Sequence, residues 1–449
     1  MSRQDEVAAT PAEEAAGGGD GRLLRRITGP LLYAFILGDV LGAGIYALMG
    51  ALAGKVGNAL WVPLVAALAL ALLTAGSYAE LVTKYPRAGG AAIFAQRAYR
   101  SPIIGFVVGF CMLSAGVVSA AGLALAFTGD YLAVFLDVPP IPAAMVFLLL
   151  VGALNARGIR ESLRSNLVMT AIELSGLVII IVAVGILLGA GGGDTSRITA
   201  FPAGANPVAA TLAAAIIAYY SFVGFETSAN VAEEIREPSR IYPRALFAAL
   251  LTAGVVYALV GIASSIALPA GRLEGSTGPL LAVFRATGVG LPAQVFSVIA
   301  LVAVANGALL TMIMASRVTY GMAQESLLPA PLRRVLPTRR TPWVAILVTT
   351  VIAMLLTLVG DLATLASTVV LLLLVVFLST NIAVLVLRRD RVEHRHFRVW
   401  TVVPVLGAAS CILLMTQQEP RIWLFGGVLV VAGLVLFGIT RLVDRRRRA

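Results

Sequence analysis

The sequence predicts an all-α membrane protein that crosses a bilayer twelve times. Three observations predict it. Of 449 residues, 59% are hydrophobic and only 13% charged, and the mean hydropathy of +0.93 lies outside the range of soluble domains. The apolar residues are gathered into runs of about 20 residues, the length a helix needs to cross roughly 30 Å of hydrocarbon. Two of these runs, five apart, carry glycine and an acid in their middles, which marks interrupted helices in corresponding positions of two halves.

The expected spans are 31–54, 59–83, 102–129, 140–156, 166–190, 207–232, 244–268, 292–324, 342–359, 362–387, 399–417 and 421–440. Five is odd, so if spans one to five (27–190) and six to ten (191–389) are structural repeats, they have opposite membrane orientation. Spans eleven and twelve (390–441) are then peripheral additions. Residues 1–26 read as a disordered tail and 442–449 as a basic tail. No charged segment leads directly into a short apolar run with a cleavage site, so the first span is expected to stay in the mature protein.

The net charge of +11 does not imply nucleic acid, because the basic residues sit between spans. Arg22, Arg25, Arg26, Lys84, Arg87, Arg97, Arg100, Arg157, Arg160, Arg164, Arg236, Arg240 and Arg244 fall in one set of alternate loops. So do Arg333, Arg334, Arg339, Arg340, the cluster Arg388–Arg398 and the C-terminal arginines. The opposite set holds only Lys55, Arg197, Arg272, Arg285 and Arg421. With Arg317 left inside a span the split is 28 against 5, which puts both termini in the cytoplasm. The basic loops are then topology signals and contacts to anionic headgroups of the cytoplasmic membrane. Arginine dominance (32 against two lysines) points to a GC-rich bacterial genome. Cys111 and Cys411 both lie in apolar runs and imply no disulfide framework. The amphipathic segment Arg87–Arg100 is expected to lie as a helix at the membrane interface.

Span one contains GDVLGAGIY (Gly38–Tyr46). Gly42 and Gly44 are poor helix material, and Asp39 one turn earlier is costly inside a membrane. The glycines alone fit close helix packing as well as an unwound backbone. Span six repeats the pattern with Gly224, then Glu226, Thr227, Ser228 and Asn230.

Four blocks then carry a specific resemblance: GAGIY in span one, YAELVTKYPRAGG closing span two, SFVGFETSANVAEEIREPSRIYPRAL across spans six and seven, and MASRVTYGMAQESLLP ending span eight. Together they resemble the amino acid–polyamine–organocation transporters, in the expected order over Ile27–Arg389. That resemblance implies a five-plus-five inverted-repeat (LeuT-type) fold with spans one and six broken, alternating access, and an amino acid bound between the breaks. Its carboxylate would meet the stretch Gly42, Ala43, Gly44, Ile45 and Tyr46, helped by a half-helix dipole at the free N–H groups. Its ammonium would meet carbonyls around Tyr220–Gly224. By motif position Tyr220, Val223 and Phe225 wall or close the pocket.

Membrane-embedded acids are functional candidates. Glu80 closes span two, where a gate or a structural hydrogen bond is expected. The family's proton-coupled members carry a lysine in span five, whereas this chain has Glu173 in TAIELSGL. Glu173 is expected to face Asp39 or the carbonyls near it. Two carboxylates in a low-dielectric site do not comfortably both ionise, so the pair can take up and release one proton per cycle. Proton coupling is favoured over uncoupled exchange, and both over sodium, with Glu226 as a second proton candidate. Glu233, Glu234, Arg236, Glu237, Arg240 and Arg244 alternate in sign at the cytoplasmic side. They form either gate ion pairs or a solvated loop.

Specificity would come from Ser114, Gly116 and Ser119 in span three and from Asn306 and Thr311 in span eight. No acid in those spans is placed to meet a cationic side chain, which favours a neutral amino acid. The sequence predicts no enzyme, no cofactor and no metal: both histidines lie in one basic loop, and no Walker or nucleophile motif occurs. An exchanger of amino acids or polyamines, an uncoupled facilitator, and a sensor built on the transporter fold are the competing readings. Oligomeric state is not encoded in these patterns.

Overall fold

The computed structural model describes residues 27–86, 90–158, 163–337, 339 and 341–448, with the side chains of 163–165 and 443–448 left aside. The expected tail 1–26, Arg22, Arg25, Arg26, Arg87, Arg160, Arg340 and the side chains of Arg164 and Arg445–Arg448 lie outside the described residues.

The described residues form α-helices and short 3-10 or π turns, with no strand. α1 (Gly29–Val40) and α2 (Gly44–Val56) are bent by 42° across residues 41–43. α3 (Trp61–Lys84) leads to the short α4 (Gly90–Tyr99) and to α5 (Pro102–Ala126), which ends in a π turn at Phe127–Tyr131. α6 (Pro140–Ala156), α7 (Leu163–Gly189) and α8 (Pro207–Tyr220) follow. The chain breaks at 221–224 and resumes as a 3-10 segment, Phe225–Glu234. α9 (Pro238–Ala267), the short α10 (Ala270–Leu273) and α11 (Pro279–Ala286), and α12 (Ala293–Gln324) come next. α13 (Trp343–Thr357), α14 (Leu362–Leu387), α15 (Val402–Thr416) and α16 (Pro420–Arg448) complete the chain.

Local chemistry explains these starts. Proline opens α1, α5, α6, α8, α9 and α11 within the first two positions, where its missing N–H has no intrahelical partner to lose. Asn206 caps α8 by accepting from the N–H groups of Val208 and Ala209, and Asp361 caps α14 by accepting from Thr364.

Among the described residues eight helical stretches are long and apolar enough to cross a membrane, nine if the bent α1–α2 pair is one span. α6, α13 and α15 coincide with three further expected spans but have only 17, 15 and 15 residues, at or below the shortest length that by itself crosses hydrocarbon. The segment expected at the interface is helical as α4, packed on α5, α14 and the 3-10 segment. α16 runs through the expected boundary at 441 as one helix to Arg448.

α5 lies at the heart of the bundle against α12 and α14, while α3 packs on α8 and α9, and α1 on α9. α16 is peripheral: its apolar window is 17% buried against 72% for that of α5. Leu150, Val182, Val255, Val351 and Val428 stand exposed on their helices, as expected for faces solvated by lipid. One cross-tie matters for the site. Ile27 donates its N–H to the Glu234 carbonyl (2.9 Å) and accepts from the Arg236 N–H (3.2 Å). The chain just before α1 is thereby joined to the end of the 3-10 segment.

Candidate functional site

The two breaks meet. Gly44 sits where a Cβ would lie 2.9 Å from the Ser221 Cα, so only glycine lets the start of α2 touch the end of α8. Gly224 has φ +124°, and a Cβ there would lie 2.6 Å from the Asp39 carbonyl oxygen. Tyr257 of α9 fastens both ends at once, donating to the Val40 carbonyl (2.6 Å) and the Ser221 carbonyl (3.1 Å). Thr227 donates to the Asp39 carboxylate and lies 2.8 Å from the Gly224 carbonyl. Glu226 turns back on its own chain and accepts from the Gly224 N–H at 2.9 Å.

Among the described residues, the N–H groups of Gly42, Ala43, Gly44, Ile45 and Tyr46 make no backbone hydrogen bond outside a helix, and the first turn of α2 supplies no partner for them. The break thus brings together a helix N-terminus, with partial positive charge, and the C-terminus of α8, with partial negative charge. An ammonium and a carboxylate on one carbon would find complementary poles there.

A cavity of about 70 Å³ lies at this meeting point. Its walls include Asp39, Gly42, Ala43, Gly44, Tyr220, Val223, Gly224 and Glu226 from the two broken helices. Ser119 and Leu123 of α5 and Asn306, Gly307, Leu310, Thr311 and Met314 of α12 complete it. Asp39, Thr227, Leu310 and Met314 also wall a second cavity of about 730 Å³. That cavity reaches α4, Glu325, Leu327 and Arg441, the side of the chain that carries the basic loops.

Several expected contacts stand behind the walls. Ile45 and Tyr46 are fully buried; the Tyr46 hydroxyl donates to the Glu173 carbonyl (2.5 Å) and its own carbonyl accepts from Tyr131 (2.7 Å). Phe225 packs against Tyr78 and Phe377. Neither these nor Ser114 and Gly116 line the small cavity; on α5, Ser119 does, bonded to the Tyr220 hydroxyl at 2.7 Å.

Glu173 is also set back. It takes its hydrogen bond from the wall residue Asn306 (Nδ2 to Oε1, 2.9 Å), whereas its Oε2 has no hydrogen-bond partner among the described residues. Among the described residues its one side-chain hydrogen bond is to Asn306. Asn306 therefore stands between Glu173 and the cavity.

Glu80 is placed quite differently. The guanidinium of Arg388 grips both its oxygens (2.8 and 2.7 Å), and the Val399 N–H adds a third bond (3.0 Å). Nearby, Asp390 accepts from the Tyr85 hydroxyl (2.6 Å) and from Arg97 (2.9 Å). These two donors hold the Asp390 carboxyl below the usual carboxylate range, the tyrosine contributing most. Among the described residues Glu233, Glu234, Arg236, Glu237, Arg240 and Arg244 make no ion pair with one another; Arg236, Glu237, Arg240 and Arg244 are exposed.

Sequence reasoning missed Tyr257, Tyr131 and Gly307. A tyrosine inside an apolar span is the signal for the first two, since a buried hydroxyl seeks a partner. Gly307 had no signal: its role is a close approach to Ala43, whose Cβ would lie 3.2 Å from an added one.

Comparisons with known proteins identify the family. A family described as amino acid permease matches residues 30–435. An uncharacterised transporter of Mycobacterium bovis is 30% identical, the match covering 95% of this chain and 93% of the relative. The vacuolar cationic amino acid transporter 4 of Arabidopsis thaliana is 29% identical over 82% of this chain and 64% of its own length. The branched-chain amino acid permease BcaP of Bacillus subtilis is 24% identical over 96% and 95%. Among solved structures, the Eremococcus coleocola manganese transporter superposes with a TM-score of 0.61 at 17% identity, covering 96% of this chain and 99% of that one; this likeness concerns the fold alone. The motifs of the broken helices and the full-length match lead to one assignment: the chain belongs to the amino acid permease family of the amino acid–polyamine–organocation superfamily.

Proposed function

We propose that this protein is a secondary transporter that moves a neutral amino acid across the cytoplasmic membrane by alternating access, coupled to a proton. The observation that carries this reading is the meeting of the α2 N-terminus and the α8 C-terminus at one cavity. The substrate carboxylate docks on the N–H groups of Gly42–Ile45 and its ammonium on carbonyls of 220–224, with Tyr220 and Val223 alongside. Leu123, Leu310, Met314 and Val223 offer an apolar wall to the side chain, which supports a neutral and aliphatic cargo. Phe225, buried behind the break, acts by shaping it.

The larger cavity, opening among the basic loops, supports an inward-facing state with cytoplasmic termini. Twelve spans in two inverted halves, 27–190 and 191–389, with 390–441 peripheral, fit the placement of the two breaks. Glu173 has an oxygen that receives no donor, and a proton carried there is reported to the cavity through Asn306. Asp39 and Glu226 complete the coupling set. Glu233, Glu234 and Arg240 are gate residues that pair only when the inner cavity closes, and Glu80 anchors that side.

The test is uptake of a panel of neutral and cationic amino acids into proteoliposomes, with and without an inward proton gradient, for wild type and Glu173→Gln. Gradient-driven accumulation of a neutral amino acid in the wild type, reduced in the variant to downhill exchange, is the expected result. Insensitivity of both proteins to the gradient would make the protein an exchanger or facilitator. Binding without transport would make it a sensor.

A further inference from the structure

Arg317 has no place in the mechanism so far. It lies within α12, seven residues from its end at Gln324, inside a span and not in a loop. Asn306, Leu310, Met314 and Arg317 follow one another at spacings of four, four and three, so they share one face of the helix. The first three line the small cavity, and Leu310, Met314 and Arg317 line the large one. At 1.5 Å per residue, Arg317 stands roughly 10 Å beyond Leu310 along the axis.

A cation held among helices for structural reasons is paired, as Arg388, just beyond the end of α14, is with Glu80. Arg317 is exposed to the cavity and makes no ion pair within 4 Å among the described residues. None of the side-chain hydrogen bonds of the described residues uses its guanidinium either. Among the described residues the acids that share its cavity are Asp39, at the inner end and bonded to Thr227, and Glu325, two helical turns on. Arg441 on α16 is a second cation on the same cavity, lying over Phe437. Around them the walls are mostly apolar or neutral, including Phe106, Met112, Gln96 and Asn230. An unpaired guanidinium fork in such a vestibule matches a carboxylate in geometry and charge, and low-dielectric walls concentrate its field along the path.

We propose that Arg317 is a docking point for the carboxylate of the amino acid as it passes between the central cavity and the side to which the large cavity opens. This rests on the amino acid transport reading. The docking point lowers the cost of lifting a zwitterion out of the site, and it selects for molecules that keep their carboxylate.

The experiment measures zero-trans transport in both directions, using full-length protein in proteoliposomes of sorted orientation and the amino acid that the wild type carries best. Arg317→Gln is expected to raise KM on the large-cavity face about five- to tenfold, the loss typical of a partly solvated charge-assisted contact. KM on the opposite face stays within about twofold, and Arg317→Lys recovers most of the loss. Equal changes on both faces, or none, overturn the proposal. If Arg317→Gln abolishes transport, binding of the labelled amino acid to detergent-solubilised protein decides. Weakened binding that Arg317→Lys restores supports the dock, and unchanged binding overturns it. Wild type that carries no amino acid refutes the transport reading and this proposal with it; wild-type transport with a symmetric response refutes the proposal alone.

Discussion

Two glutamates, Glu80 and Glu173, are buried to the same degree, 1% and 0% exposed, yet their surroundings are opposite. Three donors meet the two oxygens of Glu80, two of them from one guanidinium. Glu173 has one donor, the amide of a cavity-wall side chain, and an oxygen left over. The first arrangement repays the desolvation of a charge with fixed partners and so welds α3 to the chain after α14. The second leaves a carboxyl that can change its state without dismantling a network. Arg388 and Arg317 differ in the same way, one locked in a clamp and one open to a cavity. In a membrane protein, then, the informative property of a buried ionisable group is how completely it is satisfied, and depth alone separates nothing.

The largest effect that tests this contrast is on stability. Arg388→Ala strands the buried Glu80 carboxylate and is expected to cost on the order of 3–5 kcal/mol, seen as a lowered midpoint of thermal unfolding in detergent. A variant as stable as wild type would break the comparison. Glu173→Gln is expected to shift stability by only about 1 kcal/mol or less, since its amide oxygen still accepts from Asn306. A loss as large as that of Arg388→Ala would make Glu173 a second clamp.

The smallest effect is at Asp390, half-buried just beyond the end of α14. Its folded-state carboxyl is depressed, so the stability it contributes is fully present above its unfolded value, about 4, and is lost as pH falls through the folded one. Between about pH 5 and about pH 3, wild type should lose more stability than Asp390→Asn, followed by the same melting measurement. Parallel curves would remove the Tyr85–Arg97–Asp390 contacts from the account.

The broken helices were legible because glycine and acid inside an apolar run violate the expectations of a plain span. GDVLGAGIY and SFVGFETSAN announce themselves, and the structure brings Gly42, Ala43, Gly44, Tyr220, Val223 and Gly224 to one cavity. Register within a break was not legible. The side chains of Ile45, Tyr46 and Phe225 turn into the bundle, a direction the motifs do not show, which leaves the expected role of the Gly42–Ile45 N–H groups untouched. Of the two serines expected on α5, only Ser119 reaches the small cavity: five residues on a helix amount to about 1.4 turns, and apolar α5 gives no moment to show which serine faces inward. The partner of Glu80 was hidden because Arg388 lies 308 residues away in what reads as a topology signal. Partners distant in sequence leave no local pattern.

The bridge between Ile27 and the Glu234–Arg236 strand of backbone has a mechanical consequence. It yokes α1 to the 3-10 segment at one end, as the Thr227–Asp39 bond does at the other, so a tilt in one half-helix drags the other along. Two levers fastened at both ends turn as one, and in the alternating access proposed above they would swing as a single unit.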